Sequence, residues 1–238
     1  MESDQRQAFA LIRPPGHHAE TDRPMGFCLF NNVAVAAAHA IEKHGLSRVL
    51  IFDWDVHHGN GTEEIFYNRR DVLFVSMHQS PLYPGSGAVS DIGEGDGRGF
   101  SINIPLPEGQ GDSEYLYTIK EIITPVARQY KPEMILISAG FDAHKNDPLG
   151  GMNISSRGFG ALTFLFNELA HELCNGRLLM CLEGGYDLNG LAESVAASLD
   201  SMMGISSLQE TDTPSSSTKQ MIQRIKLELM PYWKALEK

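Results

Sequence analysis

The segment Arg48-Val49-Leu50-Ile51-Phe52-Asp53-Trp54-Asp55-Val56-His57-His58-Gly59-Asn60 is an almost unbroken apolar run that stops at acid and imidazole. Arg48–Asp53 shows no alternation of polar and apolar residues, so it reads as a strand buried on both faces, the habit of parallel sheets. Similar runs stand at Val72–Ser76, Met134–Ala139 and Leu178–Leu182, with Ala8–Ile12 and a shorter Ser101–Ile104 as further strands. Helical spacing fills the intervals. Asn31–His44 is rich in alanine, opens near an Asn cap and stops before Gly45. Ser113–Tyr130 carries Leu116, Ile119, Ile122, Ile123, Val126 and Tyr130 at helical intervals, and Pro125 should kink it. Ser155–Cys174 gathers Phe159, Leu162, Leu165, Phe166, Leu169 and Leu173 on one stripe, and Leu188–Met203 is a further helix. Strands separated by helices imply βαβ units, hence a three-layer α/β fold with a mostly parallel sheet between helices.

Composition bounds the function. The chain has 238 residues, 42% hydrophobic and 21% charged, enough for a sizeable core. Its 30 acidic residues outnumber 19 basic ones, for a formal charge of −11, and such a field repels phosphate backbones. Direct nucleic-acid binding is therefore not expected. No apolar run reaches the ~20 residues of a membrane span, and Met1–Gln7 lacks the apolar centre of a secretory signal. Cys28, Cys174 and Cys181 are too few and too scattered for a disulfide framework and suit a reducing cytoplasm, with the nucleus open for a eukaryotic protein. Residues 1–204 read as the main domain. Residues 205–220 are rich in Ser, Thr and Asp and read as a polar linker. In 221–238, Met221, Ile225, Leu229 and Trp233 at intervals of four suggest a helix that either docks back or hangs loosely.

Ligands of open parallel sheets bind beyond the carboxyl ends of the strands. Gly16-His17-His18 follows the first strand, Asp53 to Asn60 the second, Ser76 and His78 the third, Asp142 and His144 the Met134–Ala139 strand, and Glu183-Gly184-Gly185-Tyr186-Asp187 the last. Any one of these is an ordinary cap or turn; their convergence on one rim is not. In Asp53-x-Asp55-x-His57, extended chain sends residues i and i+2 to the same side, so Asp55 and His57 can grip one ion, with Asp142 completing three protein ligands. Three O/N ligands with open positions are the pattern of catalytic zinc, which brings the pKa of its water toward ~7. A binuclear manganese site would want an aspartate two places after His57, where Gly59 stands. One zinc ion is favoured, and iron(II) stays open for mixed carboxylate and imidazole ligands.

These motifs resemble the histone deacetylase superfamily, in particular its class II-like and bacterial members. The resemblance is carried by Arg13-Pro14-Pro15-Gly16-His17-His18-Ala19, Gly26-Phe27-Cys28-Leu29-Phe30-Asn31-Asn32, Asp53 through Thr62, Tyr83-Pro84-Gly85-Ser86-Gly87, Ser138-Ala139-Gly140-Phe141-Asp142, Asp147-Pro148-Leu149-Gly150-Gly151 and Leu182-Glu183-Gly184-Gly185-Tyr186, and it runs from about Ala8 to Gly204. It implies the arginase/deacetylase-like fold and zinc-dependent hydrolysis of N-acetyl amides, acetyl-lysine side chains above all, with release of acetate. The acetylated protein, peptide or small amine would be the partner. An acetylpolyamine or other small-amide hydrolase, and an inactive acetyl-lysine-binding scaffold, are the alternatives. By resemblance, Asp55, His57 and Asp142 hold the zinc. His18 is the general base, and His17 is its electrostatic partner, bonded to Asp53. Tyr186 is the donor to the oxyanion, and Phe27, Tyr83 and Gly185 line a substrate tunnel. A structural potassium is implied at Asp53, Asp55, His57, Ser76 and Met77. Asn60 stands where class I members have an aspartate, which favours the class II-like subgroup. Family domains usually have a longer segment ahead of Arg13-Pro14-Pro15, whereas here only Met1–Gln7 precedes the first strand. The apolar surface so left is expected to be covered by a second subunit, as in a homo-oligomer, or by the C-terminal helix.

Overall fold

Six strands, each parallel to its neighbours, form one sheet in the order β1-β6-β5-β2-β3-β4. The computed structural model describes residues 6–205 and 213–237. The strands are β1 (Gln7–Ala10), β2 (Val49–Asp53), β3 (Val72–Gln79), β4 (Ser101–Leu106), β5 (Met134–Ala139) and β6 (Leu178–Leu182). Every residue of β2 is buried, as its unbroken apolar run requires. Alternate side chains of the central strands serve two cores. Val49, Ile51, Phe74 and Leu136 face α1 (Asn32–His44) and α2 (Asn60–Phe66). Leu50, Phe52, Val75, Ile135 and Ile137 belong to the larger core that takes in α3 (Asp112–Thr118), α4 (Thr124–Tyr130) and α5 (Ser156–Cys174). Helix α6 (Leu188–Met202) lies on α5. The three layers read from the sequence are thus present, and the sheet is parallel throughout the described residues.

Local chemistry accounts for where the elements depart from that reading. Strand β1 starts at Gln7 and leaves the sheet after Ala10, where Ala8–Ile12 was expected. The Arg13 side chain turns to the Glu183 carbonyl oxygen (2.7 Å), and Pro14 and Pro15 have no amide hydrogens to extend a ladder. Strand β3 runs three residues past Ser76, because His78 and Gln79 still pair with Pro105 and Leu106. Helix α2 went unread; it has seven residues and begins at Asn60-Gly61, too short and too polar at its start for periodicity to show. The stretch 113–130 is two helices joined by a wide π-type segment, Ile119–Ile123, which places Pro125 in the first turn of α4, where its missing amide costs no hydrogen bond.

The C-terminal helix read over 221–238 is α7, Ser216–Leu229, followed by a 3-10 turn at Lys234–Leu236. Ser215 caps it, accepting from the Thr218 amide at 3.1 Å, so serines that signal a loop here start a helix. Residues 206–212 of the expected linker lie outside the described residues. Ile222, Ile225, Leu229, Trp233 and Leu236 are buried in the larger core, and Trp233 Nε1 donates to the Gly99 carbonyl at 2.9 Å. The helix docks on the β4 side of the sheet. It does not cover the opposite edge, where Leu11 and Ile12 beyond β1 are exposed. No helix among the described residues is long and apolar enough to cross a membrane.

Candidate metal centre and active site

Strand β2 stops at Asp53, and the side-to-side alternation expected of extended chain is sustained beyond it by carboxylates. The Asp55 amide donates to Asp53 Oδ1 (3.0 Å) and the His57 amide to Asp55 Oδ1 (2.9 Å), each aspartate bonding the backbone two residues on. This winds Asp55 and His57 to one side. Asp142 enters from the loop after β5, next to β2 in the sheet, and its Oδ1 accepts from the Val56 amide at 2.9 Å. His57 Nδ1 lies 3.0 Å from Asp55 Oδ1 and 3.2 Å from Asp142 Oδ2, and one ligand atom from each of the three residues falls within 4.8 Å of the others. Gly184 closes the floor: its amide donates to Asp55 Oδ2 at 2.8 Å, and a Cβ there would collide with the carboxylates of both Asp142 and Asp55.

The cluster's own chemistry asks for a cation. Asp55 and Asp142 are fully buried, and Asp142 Oδ2 has no hydrogen-bond partner among the described residues. A buried carboxylate oxygen without a donor is costly unless a charge meets it. Burial and the charge of Asp55 push the Asp142 carboxyl up to about 7. Burial opposes charge on His57 too, yet the neighbouring carboxylates of Asp142 and Asp55 raise its imidazole to about 10. Two carboxylates and one imidazole competing for a proton are a donor set that fits a small divalent ion, and mixed O/N ligation suits zinc.

His17 and His18 sit directly above. Gly16, His17 and His18 follow β1, and the two rings lie 4.0 Å apart. His17 Nδ1 donates to Asp53 Oδ2 at 2.9 Å, and His18 Nδ1 donates to Asn60 Oδ1 at 2.8 Å. The Asn60 orientation is fixed by its amide nitrogen, which donates to Glu20 at 2.9 Å. Burial works against charge on His17, but Asp53 and Asp55 hold its pKa well above the usual imidazole value. His18 goes the other way: burial, then the neighbouring His17, lower it to about 3. The two rings are thus pushed in opposite directions, charge being favoured on His17 and disfavoured on His18.

Pro15, His17, His18, Gly26, Phe27, Asp55, His57, Tyr83, Leu149, Gly184 and Tyr186 line one cavity of about 310 Å³. The Tyr83 ring stands edge-on to His18 with centroids 5.1 Å apart, and Phe27 lies 6.3 Å from Tyr186. Phe27 and Tyr83 are both exposed at the mouth. Gly184 lines the wall, whereas a Cβ on Gly185, next to it, would face Leu191 and Phe141. Ser76 and Met77 lie fully buried on β3, with Ser76 directly across from Asp53. His78 and His144 stay out of the cavity: His78 packs on His58, and His144 bonds Ser156. Two further residues of the matching motifs, Glu183 and Asp147, organise the loops. Glu183 Oε2 accepts from the amides of Gly16 and His17, and Asp147 Oδ2 accepts from those of Tyr186 and Asp187. Backbone partners leave no periodicity, so no sequence signal marks them.

The fold is of the arginase/deacetylase-like α/β type, with a candidate metal centre beyond the carboxyl ends of its strands. The histone deacetylase domain matches residues 1–202, and the chain belongs to the histone deacetylase family. Among its relatives, histone deacetylase 14, chloroplastic, of Arabidopsis thaliana is 50% identical over 208 residues, 87% of this chain and 49% of that one. A probable deacetylase of Archaeoglobus fulgidus is 49% identical over 183 residues, 77% of this chain and 51% of its own length. The solved HDA15 HD domain matches with TM-score 0.88 at 40% identity, covering 96% of this chain and 64% of that one. The chain thus spans about half the length of these curated relatives.

Proposed function

We propose that this chain hydrolyses N-acetyl amides, with acetyl-lysine side chains of proteins as substrate and acetate and free amine as products. The observation that carries the reading is the meeting, at the base of one cavity, of the Asp55-His57-Asp142 donor set with the paired rings of His17 and His18, one bonded to Asp53 and the other to Asn60. Zinc held by Asp55, His57 and Asp142 would supply Lewis acidity, polarising the amide carbonyl and making water a stronger acid. The chain's own groups do the rest. His18 Nε2 takes the proton of the attacking water and returns it to the leaving nitrogen, a service worth ~10²–10⁴-fold in other enzymes. His17, bonded to Asp53, which favours its charged form, balances the negative charge that develops beside it. Tyr186, on the same cavity, donates its hydroxyl to the carbonyl oxygen as that oxygen becomes an anion. Phe27 and Tyr83 flank an alkyl stem at the mouth.

Finer parts of the reading rest on the same residues. Asn60 against His18 supports the class II-like subgroup. A structural potassium at Asp53, Asp55, His57, Ser76 and Met77 is supported by the burial of Asp53 and Ser76 side by side. Three buried free cysteines support a reducing compartment such as the cytoplasm. The test is amine release from an acetyl-lysine peptide by the zinc-loaded protein, with acetylspermidine in parallel. Turnover of the peptide is expected, with Tyr186→Phe lowering kcat by ~10²–10³-fold, the size of a lost oxyanion donor. Unchanged turnover in His18→Ala would remove the assigned base, and preference for acetylspermidine would move the substrate to small amines.

A further inference from the structure

Glu183 is a fully buried carboxylate that the chemistry above does not use. Its position is unusual in what it joins. Oε2 accepts from the Gly16 amide at 2.6 Å and the His17 amide at 3.1 Å, and Oε1 accepts from the Ser138 hydroxyl at 3.0 Å. Its own carbonyl oxygen accepts from Arg13 at 2.7 Å, and the Arg13 guanidinium stands 5.8 Å over the Tyr186 ring. Gly184, the next residue, donates to Asp55 Oδ2. One residue therefore ties together the loop bearing His17 and His18, strand β5 that leads to Asp142, and the loop bearing Tyr186. No lysine or arginine side chain pairs with its carboxylate among the described residues. Among the described residues two backbone amides and one hydroxyl are its donors, and two of the three belong to the loop that carries the histidines.

We propose that Glu183 is a positioning residue: its carboxylate fixes the 13–18 loop so that His17 and His18 meet the substrate, while substrate binding at Phe27 and Tyr83 does not depend on it. The proposal rests on the deacetylase reading for its kinetic consequence, and on the hydrogen bonds alone for its structural one. What the loop needs at position 183 is an acceptor of the right reach. Glutamine supplies one: its oxygen can take both amides while its NH2 turns to Ser138, whose hydroxyl can rotate to accept. Aspartate is one methylene too short to hold both amides, and alanine offers nothing.

The experiment compares zinc-loaded wild type, Glu183→Gln, Glu183→Asp and Glu183→Ala. Readouts are kcat and KM on an acetyl-lysine peptide, zinc content, and the 1H–15N NMR signals of the histidine rings. Expected are kcat for Glu183→Gln within about tenfold of wild type, the difference between a charged and a neutral acceptor, and a loss of ~10²-fold in Glu183→Ala and Glu183→Asp, the cost of a small misplacement of catalytic groups. KM and zinc content stay near wild type, and only the His17 and His18 ring signals move. Should Glu183→Ala not fold, Glu183→Asp carries the comparison. Wild-type kcat in a folded Glu183→Asp or Glu183→Ala overturns the proposal, as does Glu183→Gln that is as impaired as Glu183→Ala. If wild type itself turns over no acetyl amide, the deacetylase reading fails, and the ring signals still decide the positioning: unmoved signals in Glu183→Ala or Glu183→Asp end it, and signals displaced there but kept in Glu183→Gln uphold it.

Discussion

A single methyl group marks how tightly the candidate metal centre is built. Gly184→Ala would drive a Cβ against the buried carboxylates of Asp142 and Asp55, each already held by a backbone amide. We expect zinc affinity to fall by ~10–100-fold or more, the range seen when groups supporting metal ligands are disturbed; competition with a coloured chelator measures it. Glu183 makes a second prediction through pH. Burial pushes its carboxyl up to about 7, above the usual glutamate value near 4.5, although His17 pulls it back. As pH rises between those values the unfolded chain gives up its proton first, so the native state binds more protons and loses relative stability. Glu183→Gln should therefore gain stability over wild type as pH climbs from 5 to 8, seen as a widening gap in urea midpoints; a constant gap contradicts it. The contrast between these residues shows what sequence can carry. Asp55 and His57 were readable because two residues of spacing set a side of the chain, even where the aspartates themselves, rather than a strand, enforce it. Glu183 was not, because two of its three partners lie 166 and 167 residues away and are amides, which every residue but proline has.

Among the elements, the buried strands were the most legible, since a run such as Leu-Ile-Phe has no face to give to water. Helix α1 was legible for its caps. Asn31 Oδ1 accepts from the Ala34 amide at 3.0 Å and Gly45 ends the helix at φ +67°, so Asn31→Ala should cost about 1 kcal/mol in chemical denaturation. Short α2 and the π-type segment before Pro125 were not, because one is under two turns and the other departs from the 3.6-residue period that marks a helix. Helix α7 is the informative case. Its spacing was visible, its docking was not, and its start was hidden by serines that serve loops and caps alike. Trp233, buried against Phe100 and Tyr130 with its indole bonded to Gly99, makes that docking testable. Trp233→Ala should lower unfolding free energy by about 3–5 kcal/mol, the cost of a large core truncation. Because the site lies at the other end of the strands, kcat of the folded fraction should stay unchanged. A wild-type urea midpoint would mean the helix is a passenger.

At the scale of the molecule, the sheet order brings the carboxyl ends of β2 and β5 side by side, and the three donors descend from those two ends. The ion is thus asked to join groups that the hydrophobic core has already assembled, unlike small zinc modules that have no fold without their metal. Chelation should leave a folded chain whose melting point falls modestly and recovers with added zinc, by the mass-action rule that gives ~2.7 kcal/mol at a hundredfold excess over Kd. Collapse to an unfolded chain on chelation would contradict this order of assembly. A vessel that stands ready before it is filled has a further property: it does not choose its occupant by folding around it. Two carboxylates and an imidazole are ligand types open to both zinc and iron(II), so the ion found in the purified protein should follow the supply of the medium in which the cells grew.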